Sequence, residues 1–466
     1  MAPTEGLAHA ALKELLDLGR LPRGLAGDVA ITGDDPVLPT RYRIGTAGAA
    51  VLAATGIAAS ELWHLKTKRR QHVSVDVPAA AISLRSGKYM EINGQPCDRE
   101  FAPLMKFYPA KNGRWVFLHT NFPNLRDKAL SILGVPDDYN AVKEAISGWE
   151  GEALETALHE GGAVGSYVRT HDEWDRHPHA AAVAQMPAVE IVRIGDAPPK
   201  PLPAGDRPLS GIRVLDLTRV IAGPTASRTL AEHGADVLKI TRAGLADSGQ
   251  MDLDTGIGKL SARLDLRMQD EHARLLELCR TCDVFTQSYR PGTLAGRGFS
   301  PEALAELNPG MVYVTLSAWG NEGPWSRRRG YDTVVQAATG MADASQDDTG
   351  PKHLPVSAID YVGGNLLAYG AMVALARRAT EGGSWLVRAS LATAGRWIVD
   401  RGVLPKSAYA AMPADLSDET IAKLCTEVDM PLGRMRHLAP IVRMSETQPF
   451  WARPPVPLGH SPAAWP

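Results

Sequence analysis

Apolar and polar positions repeat along the chain with a period that changes from segment to segment. Leucines at helical spacing in "MAPTEGLAHAALKELLDLG" predict a short helix, and a loop follows to residue 40. From Ala47 to Leu65 small and apolar residues predict a helix, and "RRQHVSVDV" after it alternates as a strand does. Residues 106–135 read as a small α/β unit, with "GRWVFLHT" as a strand and a helix through "RDKALSILG". Residues 140–185 are mostly helical, and "AVEIVRIG" (188–195) is a strand. The prolines of "GDAPPKPLPAGDRPLSG" then mark an extended linker.

Beyond the linker, strands and helices take turns. "GIRVLDL", "ADVLKI", "DVFTQS" and "GMVYVTLS" are short apolar runs of buried-strand type. Between them lie helices at "AGPTASRTLAEHG", 270–281 and 301–307. Such alternation predicts a doubly wound parallel sheet with helices on both faces. The boundaries that result are 1–195, a linker at 196–210, a sheet domain at 211–400 and a C-terminal strap at 401–466. There is also a faint internal repeat. With Gly56 set on Gly370, a small-residue helix and a strand coincide in each copy, "HVSVDV" in the first and "LVRASL" in the second. In that register Thr46 stands where the second copy has Asp360.

Composition narrows the function. The chain has 466 residues, 44% hydrophobic and 22% charged, with a net charge of −2. That is an ordinary globular balance, with no sign of a nucleic-acid or membrane surface. The longest apolar stretch, Ala47–Ser60, is too short to span a bilayer. Four cysteines in so long a chain make no disulfide framework, so a reducing cytoplasm is expected.

Several motifs offer chemistry, each with a plainer account beside it. "DTGIGKLS" imitates a P-loop but lacks its spacing, so ATP binding is rejected. "CRTC" (279–282) has no second pair, and core or surface thiols are the default; "DRHPH" (175–179) reads as a polar turn rather than a metal site. The loop "LTRVIAGP" after the first strand stands where open α/β sheets bind ligands, although a plain βα turn accounts for it. Arg242, Arg267 and Arg290 follow strands at one sheet edge and could form a phosphate pocket. Asp360 heads the apolar stretch "AIDYVGGNLLAYGAMVALARR". It is either a helix N-cap or a nucleophile held at a helix N-terminus, beside glycines that admit a ligand. The sequence leaves both open.

Taken in order, "LSGIRVLDLTRVIAGP", "HGADVLKI", "KLSARLDLR", "DVFTQSYRPGTLAGRGF", "LNPGMVYVTLSAWGNEGPW", "RGYDTVVQAATG" and "AIDYVGGNLLAYGAMVALA" resemble the class III CoA-transferase (CaiB/BaiF) family across 209–391. The first part resembles that family's other half, so the chain is similar to a fused or permuted arrangement. The resemblance implies a Rossmann-like sheet with a smaller α/β domain. It also implies a homodimer, acyl-CoA and carboxylate substrates, and no permanently bound cofactor or metal. Asp360 is implied as the nucleophile that passes CoA through an anhydride and an aspartyl-CoA thioester. Arg219, Ile221, Ala222, Arg242, Leu264, Arg267, Ser288, Tyr289, Arg290 and Ser317 are implied as CoA contacts, and N–H groups near Gly363 and Gly364 as oxyanion donors. Relatives that racemise 2-methylacyl-CoA carry a His where this chain has Tyr331, and Tyr is a poor general base. A racemase and a CoA-binding module without turnover are the alternatives.

Overall fold

The structure is a computed structural model that describes residues 6–97, 101–245 and 248–466. The elements that build and hold the site begin with helix α1 (Ile44–Thr67), strand β1 (Val73–Asp76) and helix α2 (Val77–Ser83). Next come β2 (Glu190–Gly195), β3 (Arg213–Leu217), α3 (Ala222–Glu232), β4 (Asp236–Thr241), α4 (Gln250–Asp254) and β5 (Lys259–Arg263). They are followed by β6 (Val284–Gln287), β7 (Val312–Ser317), α5 (Asp332–Ala338), α6 (Ala358–Glu381), β8 (Ser384–Ser390), α7 (Leu391–Val399) and β9 (Arg443–Met444).

One seven-stranded sheet carries the architecture, in the order β5-β4-β3-β6-β7-β8-β2. All its pairs are parallel except β2 on β8. Successive strand residues point to opposite faces, and the sequence uses both. Val214, Val237, Val284 and Val312 join a core with α1, α3 and α6, while Leu215, Leu238, Phe285 and Tyr313 join a second core with Leu275, Leu278 and Leu304. This is why the strands read as continuous apolar runs rather than alternating ones. Strand order reverses between β3 and β6, so their C-terminal loops part and leave a crevice. Strand β2 precedes the proline-rich linker in sequence yet closes the edge of this sheet.

The faint repeat is clear in three dimensions. Ile44 and Ala358 open α1 and α6, Thr67 and Glu381 close them, and Val77 and Leu391 open the helices that follow, all at one constant displacement. A Cβ on Gly56 would lie 2.6 Å from Val73, and one on Gly370 would lie 2.6 Å from the counterpart Val387. Asp76 accepts the Ala79 N–H at 3.0 Å, as Ser390 accepts the Thr393 N–H at 3.0 Å. Strand β9 lies antiparallel on β1 just as β2 lies on β8.

Helices α1 and α6 correct one expectation. Each has 24 residues and is long and apolar enough to cross a membrane, but 94% and 100% of their apolar windows are buried within the protein. The expected C-terminal strap is tied down by Arg453 on Asp236 (2.8 Å) and by the Ser461 N–H on the Ser261 carbonyl (2.7 Å). The 401–466 segment is not only an extended strap: it includes a hairpin, Cys425–Met430 and Gly433–Leu438, that joins Glu91–Ile92.

Several buried ionisable groups predict how stability varies with pH. Burial pulls His177, His179 and His353 down to about 4 and His233 to about 3, so the fold keeps them neutral. Burial pushes Glu232 up to about 7 against the opposing charges of Arg228 and Arg207. An unfolded chain protonates histidine near pH 6.5, so stability is lost as pH falls below about 6.5. The Glu232 contribution has the opposite sign: it is complete below about pH 4.5 and lost as pH rises through about 7. Urea unfolding is expected to show lower stability at pH 5 than at pH 8, because the four histidines outweigh the one glutamate. Glu232→Gln is expected to steepen that rise between pH 5 and 8, and an unchanged difference would contradict the assignment.

Candidate active site

Asp360 is the third residue of α6 and only 7% exposed. It is not the helix cap that the sequence allowed. Ser357 occupies that place without a side-chain bond, and the Asp360 N–H instead donates to Asp332 Oδ2 at 3.0 Å. A carboxylate from α5 thus satisfies a free donor at the start of α6. Asp332 is itself fixed by the Gln336 amide, whose oxygen accepts the Leu354 N–H at 2.8 Å. The α6 N-terminus favours negative charge at Asp360.

The expected role of the glycines is also corrected. Gly363 and Gly364 lie inside α6, where their N–H groups belong to the helix ladder and are not oxyanion donors. A Cβ on Gly364 would fall 2.4 Å from the Ala222 carbonyl oxygen, so this glycine lets α3 approach α6 rather than a ligand approach Asp360. The loop before α3 holds Val220 at φ +71, a left-handed conformation that a β-branched residue rarely adopts. Strain of about 1–3 kcal/mol is typical of such positions at functional sites.

Tyr331 stacks on His119, with centroids 3.8 Å apart and planes within 8°, and Phe122 lies beyond at 5.7 Å. Burial pushes the Tyr331 hydroxyl up to about 12, and the Asp360 charge adds to this against Arg219 and Arg329. It stays protonated at any physiological pH.

Asp360 lines two cavities at once. One, of about 280 Å³, is walled by Arg219, Ile221, Ala222, Ser288, Tyr289, Arg290 and Ser317. It lies over the strand-order reversal. Next to it, sharing Tyr289 and Thr293, a cavity of about 230 Å³ holds Arg242, Leu264 and Arg267. The sequence-derived contacts therefore line two adjacent cavities, the first of which reaches Asp360. The three arginines do not form a single phosphate pocket, because the loops after β4 and β5 are offset from the loop after β6. Arg242 and Arg267 share one cavity with Asp265, on which Arg267 closes at 2.9 Å, and Arg290 belongs to the next. Sequence reasoning missed Arg328 and Arg329, which complete the wall around Arg219 and Arg290. The run "SRRRG" just before Tyr331 was their signal. Burial and the nearby Arg290 charge lower the Arg329 pKa, a strain that a bound anion would relieve.

The second cavity at Asp360 is larger, about 770 Å³. Pro96, Phe101, Met105, His119 and Phe122 wall it from the N-terminal region, and Val220, Met251 and Asp332 from the sheet domain. Sequence patterns gave no hint of this cavity, since its walls come from distant segments of one chain.

The remaining motifs are structural. Lys259 of the P-loop imitation pairs with buried Asp216 at 3.0 Å. Cys279 and Cys282 are buried thiols whose pKa is raised by burial. "DRHPH" is not a polar turn: His179 is fully buried among Trp174, Trp319 and Trp325, and its Nε2 pairs with the Trp319 carbonyl at 2.9 Å. Near the start of α1, Asp35 accepts the Thr46 N–H at 2.7 Å, as Asp332 accepts that of Asp360. Gly33-Asp34-Asp35 thus mirrors Gly330-Tyr331-Asp332, with Thr46 in place of the acid.

Comparison with known proteins shows what the chain is similar to. Residues 209–424 match CoA-transferase family III. An acyl-CoA transferase of Gibberella moniliformis is 28% identical over 518 aligned positions, covering 94% of this chain and 90% of that protein. The order of segments is therefore shared by a relative along nearly its whole length. The succinyl-CoA:glutarate CoA-transferase of Homo sapiens is 33% identical over 180 positions, 36% of this chain and 41% of that protein. Among solved structures, a CaiB/BaiF family protein from Brucella suis matches with a TM-score of 0.40 and 23% identity, over 49% of this chain and 65% of that one.

Proposed function

We propose that this chain, whose residues 209–424 match CoA-transferase family III, moves CoA from an acyl-CoA thioester to a carboxylic acid with Asp360 as the nucleophile. One observation carries this reading: Asp360 lies at the junction of an arginine-lined path and a separate cavity, able to meet a thioester whose two ends occupy both.

The exchange balances in four attacks. Asp360 Oδ attacks the thioester carbonyl, expels the CoA thiolate and leaves a mixed anhydride. The thiolate attacks the Asp360 carbonyl of that anhydride, forming an aspartyl-CoA thioester and releasing the donor acid. The acceptor carboxylate attacks the aspartyl thioester and again frees the thiolate. The thiolate then attacks the acceptor carbonyl, giving the new acyl-CoA and restoring Asp360. Covalent catalysis splits one hard exchange into easier steps. The arginine-lined path supports binding of the CoA phosphates. Tyr331, protonated up to about 12, is a poor base, and this favours transfer over racemisation. One chain supplies both walls of the site, so a homodimer of the kind the resemblance implies would carry two such sites.

Incubation with acyl-CoA and hydroxylamine, followed by peptide mass spectrometry, tests the reading. Asp360 is expected as a hydroxamate. Free CoA release without modification of Asp360 would count against it.

A further inference from the structure

The N–H groups of Gly363 and Gly364 belong to the α6 ladder, which leaves open what meets the negative charge that develops at a reacting carbonyl. Among the described residues only Val220, Tyr331 and Asp360 line both cavities at once. The Val220 side chain is apolar and Asp360 is the proposed nucleophile, so Tyr331 is the side chain at that junction with a proton to donate. Its hydroxyl makes no hydrogen bond to any described residue, whereas a tyrosine hydroxyl inside a protein usually finds a partner. The ring is fixed by the stack on His119 at 3.8 Å and by Phe122 at 5.7 Å. The backbone is fixed as well, because the Val334 and Val335 N–H groups donate to the Tyr331 carbonyl at 3.0 and 2.9 Å. The next residue, Asp332, accepts the Asp360 N–H at 3.0 Å, so Tyr331 and the nucleophile are held in one frame. Burial pushes the hydroxyl up to about 12, and it therefore stays a donor.

We propose that Tyr331 is a catalytic residue, donating its O–H to the acyl oxygen of the substrate as Asp360 attacks. This rests on the CoA-transfer reading. In the first attack a lone pair of Asp360 Oδ forms the new C–O bond, and the carbonyl π electrons move onto the acyl oxygen. The Tyr331 O–H stabilises that oxyanion. When the electrons return to the carbonyl, the C–S bond breaks and its pair leaves on the CoA sulfur. The last attack passes through the same kind of oxyanion in reverse, with the thiolate as nucleophile and the Asp360 carboxylate as leaving group. The proton stays on Tyr331 throughout, so no base is consumed. A donor already fixed beside the developing charge needs little reorganisation at the moment of reaction. The property that makes Tyr331 a poor base for racemisation is the one that suits it to this role.

The test compares the full parent chain with Tyr331→Phe, which keeps the stacked ring and deletes a hydroxyl that no described residue uses. Acetyl-, octanoyl- and succinyl-CoA are offered in hydroxylamine, and the one that labels Asp360 fastest in the parent is used throughout. Single-turnover CoA release from Tyr331→Phe is expected to be slower by about 10²–10³-fold, the cost of losing one oxyanion donor. KM for the acyl-CoA is expected to stay within about threefold, since the bond strengthens only as charge develops. The ratio of parent to variant rates is expected to be constant from about pH 6.5 to about pH 9.5, because the hydroxyl keeps its proton there. A variant rate within about threefold of the parent, a loss carried by KM alone, or a ratio that climbs with pH as a base would require, would each overturn this assignment while leaving CoA transfer intact. Labelling of Asp360 in the parent by none of the three overturns the CoA-transfer reading itself, and this assignment with it.

Discussion

Asp360→Asn is expected to lower CoA transfer by about 10⁴-fold or more, the scale seen when a covalent nucleophile is removed. The amide keeps the volume and the helix position but cannot form an anhydride. The backbone N–H of residue 360 still donates to Asp332, so the fold is expected to be kept. Single-turnover release of CoA, followed by a thiol reagent, and a thermal melt read the two outcomes. A variant that keeps transfer within tenfold of the parent would place the nucleophile elsewhere.

The second large effect is structural and reaches the site through backbone. Gly364→Ala is expected to cost about 3 kcal/mol, at the upper end for overpacking. Its new methyl group would sit 2.4 Å from the Ala222 carbonyl oxygen and 2.7 Å from Thr225 Cβ. A carbonyl cannot rotate away as a side chain can, so α3 must shift. Ala222 opens α3 just after Arg219, Val220 and Ile221, and KM for acyl-CoA is expected to rise as that loop moves. Gly363→Ala is the control. Its Cβ would lie 3.6 Å from Ala394, an ordinary contact, and alanine is the better helix former. Urea denaturation should separate the pair clearly, and equal loss in both would refute the packing account.

The sheet was legible because parallel strands buried on both faces are continuous apolar runs, and four of them stand in order after the linker. Asp360 was legible as an exception: an acid in a segment otherwise made for burial. Its partner was not. Asp332 lies 28 residues earlier, and only folding brings its carboxylate to the Asp360 N–H. Gly363 and Gly364 misled because sequence shows that a side chain is missing but not what fills the space, which at Gly364 is Ala222. The cavity beside Asp360 was hidden for a related reason: Phe101 and Met105 become a wall only when the N-terminal region meets Met251. The arginines were found singly, but loop lengths decided which share a cavity.

The duplicated helix-strand-helix unit bears on kinetics. Both copies keep the backbone anchor, Asp35 for Thr46 and Asp332 for Asp360, yet only the second has an acid at that place, the proposed nucleophile. The stoichiometry is therefore fixed by covalent connection. A pre-steady-state burst should liberate one equivalent of CoA per chain at saturation. On the proposed mechanism the two copies within a chain would not alternate as half-of-the-sites catalysts do, because only Asp360 would hold an intermediate.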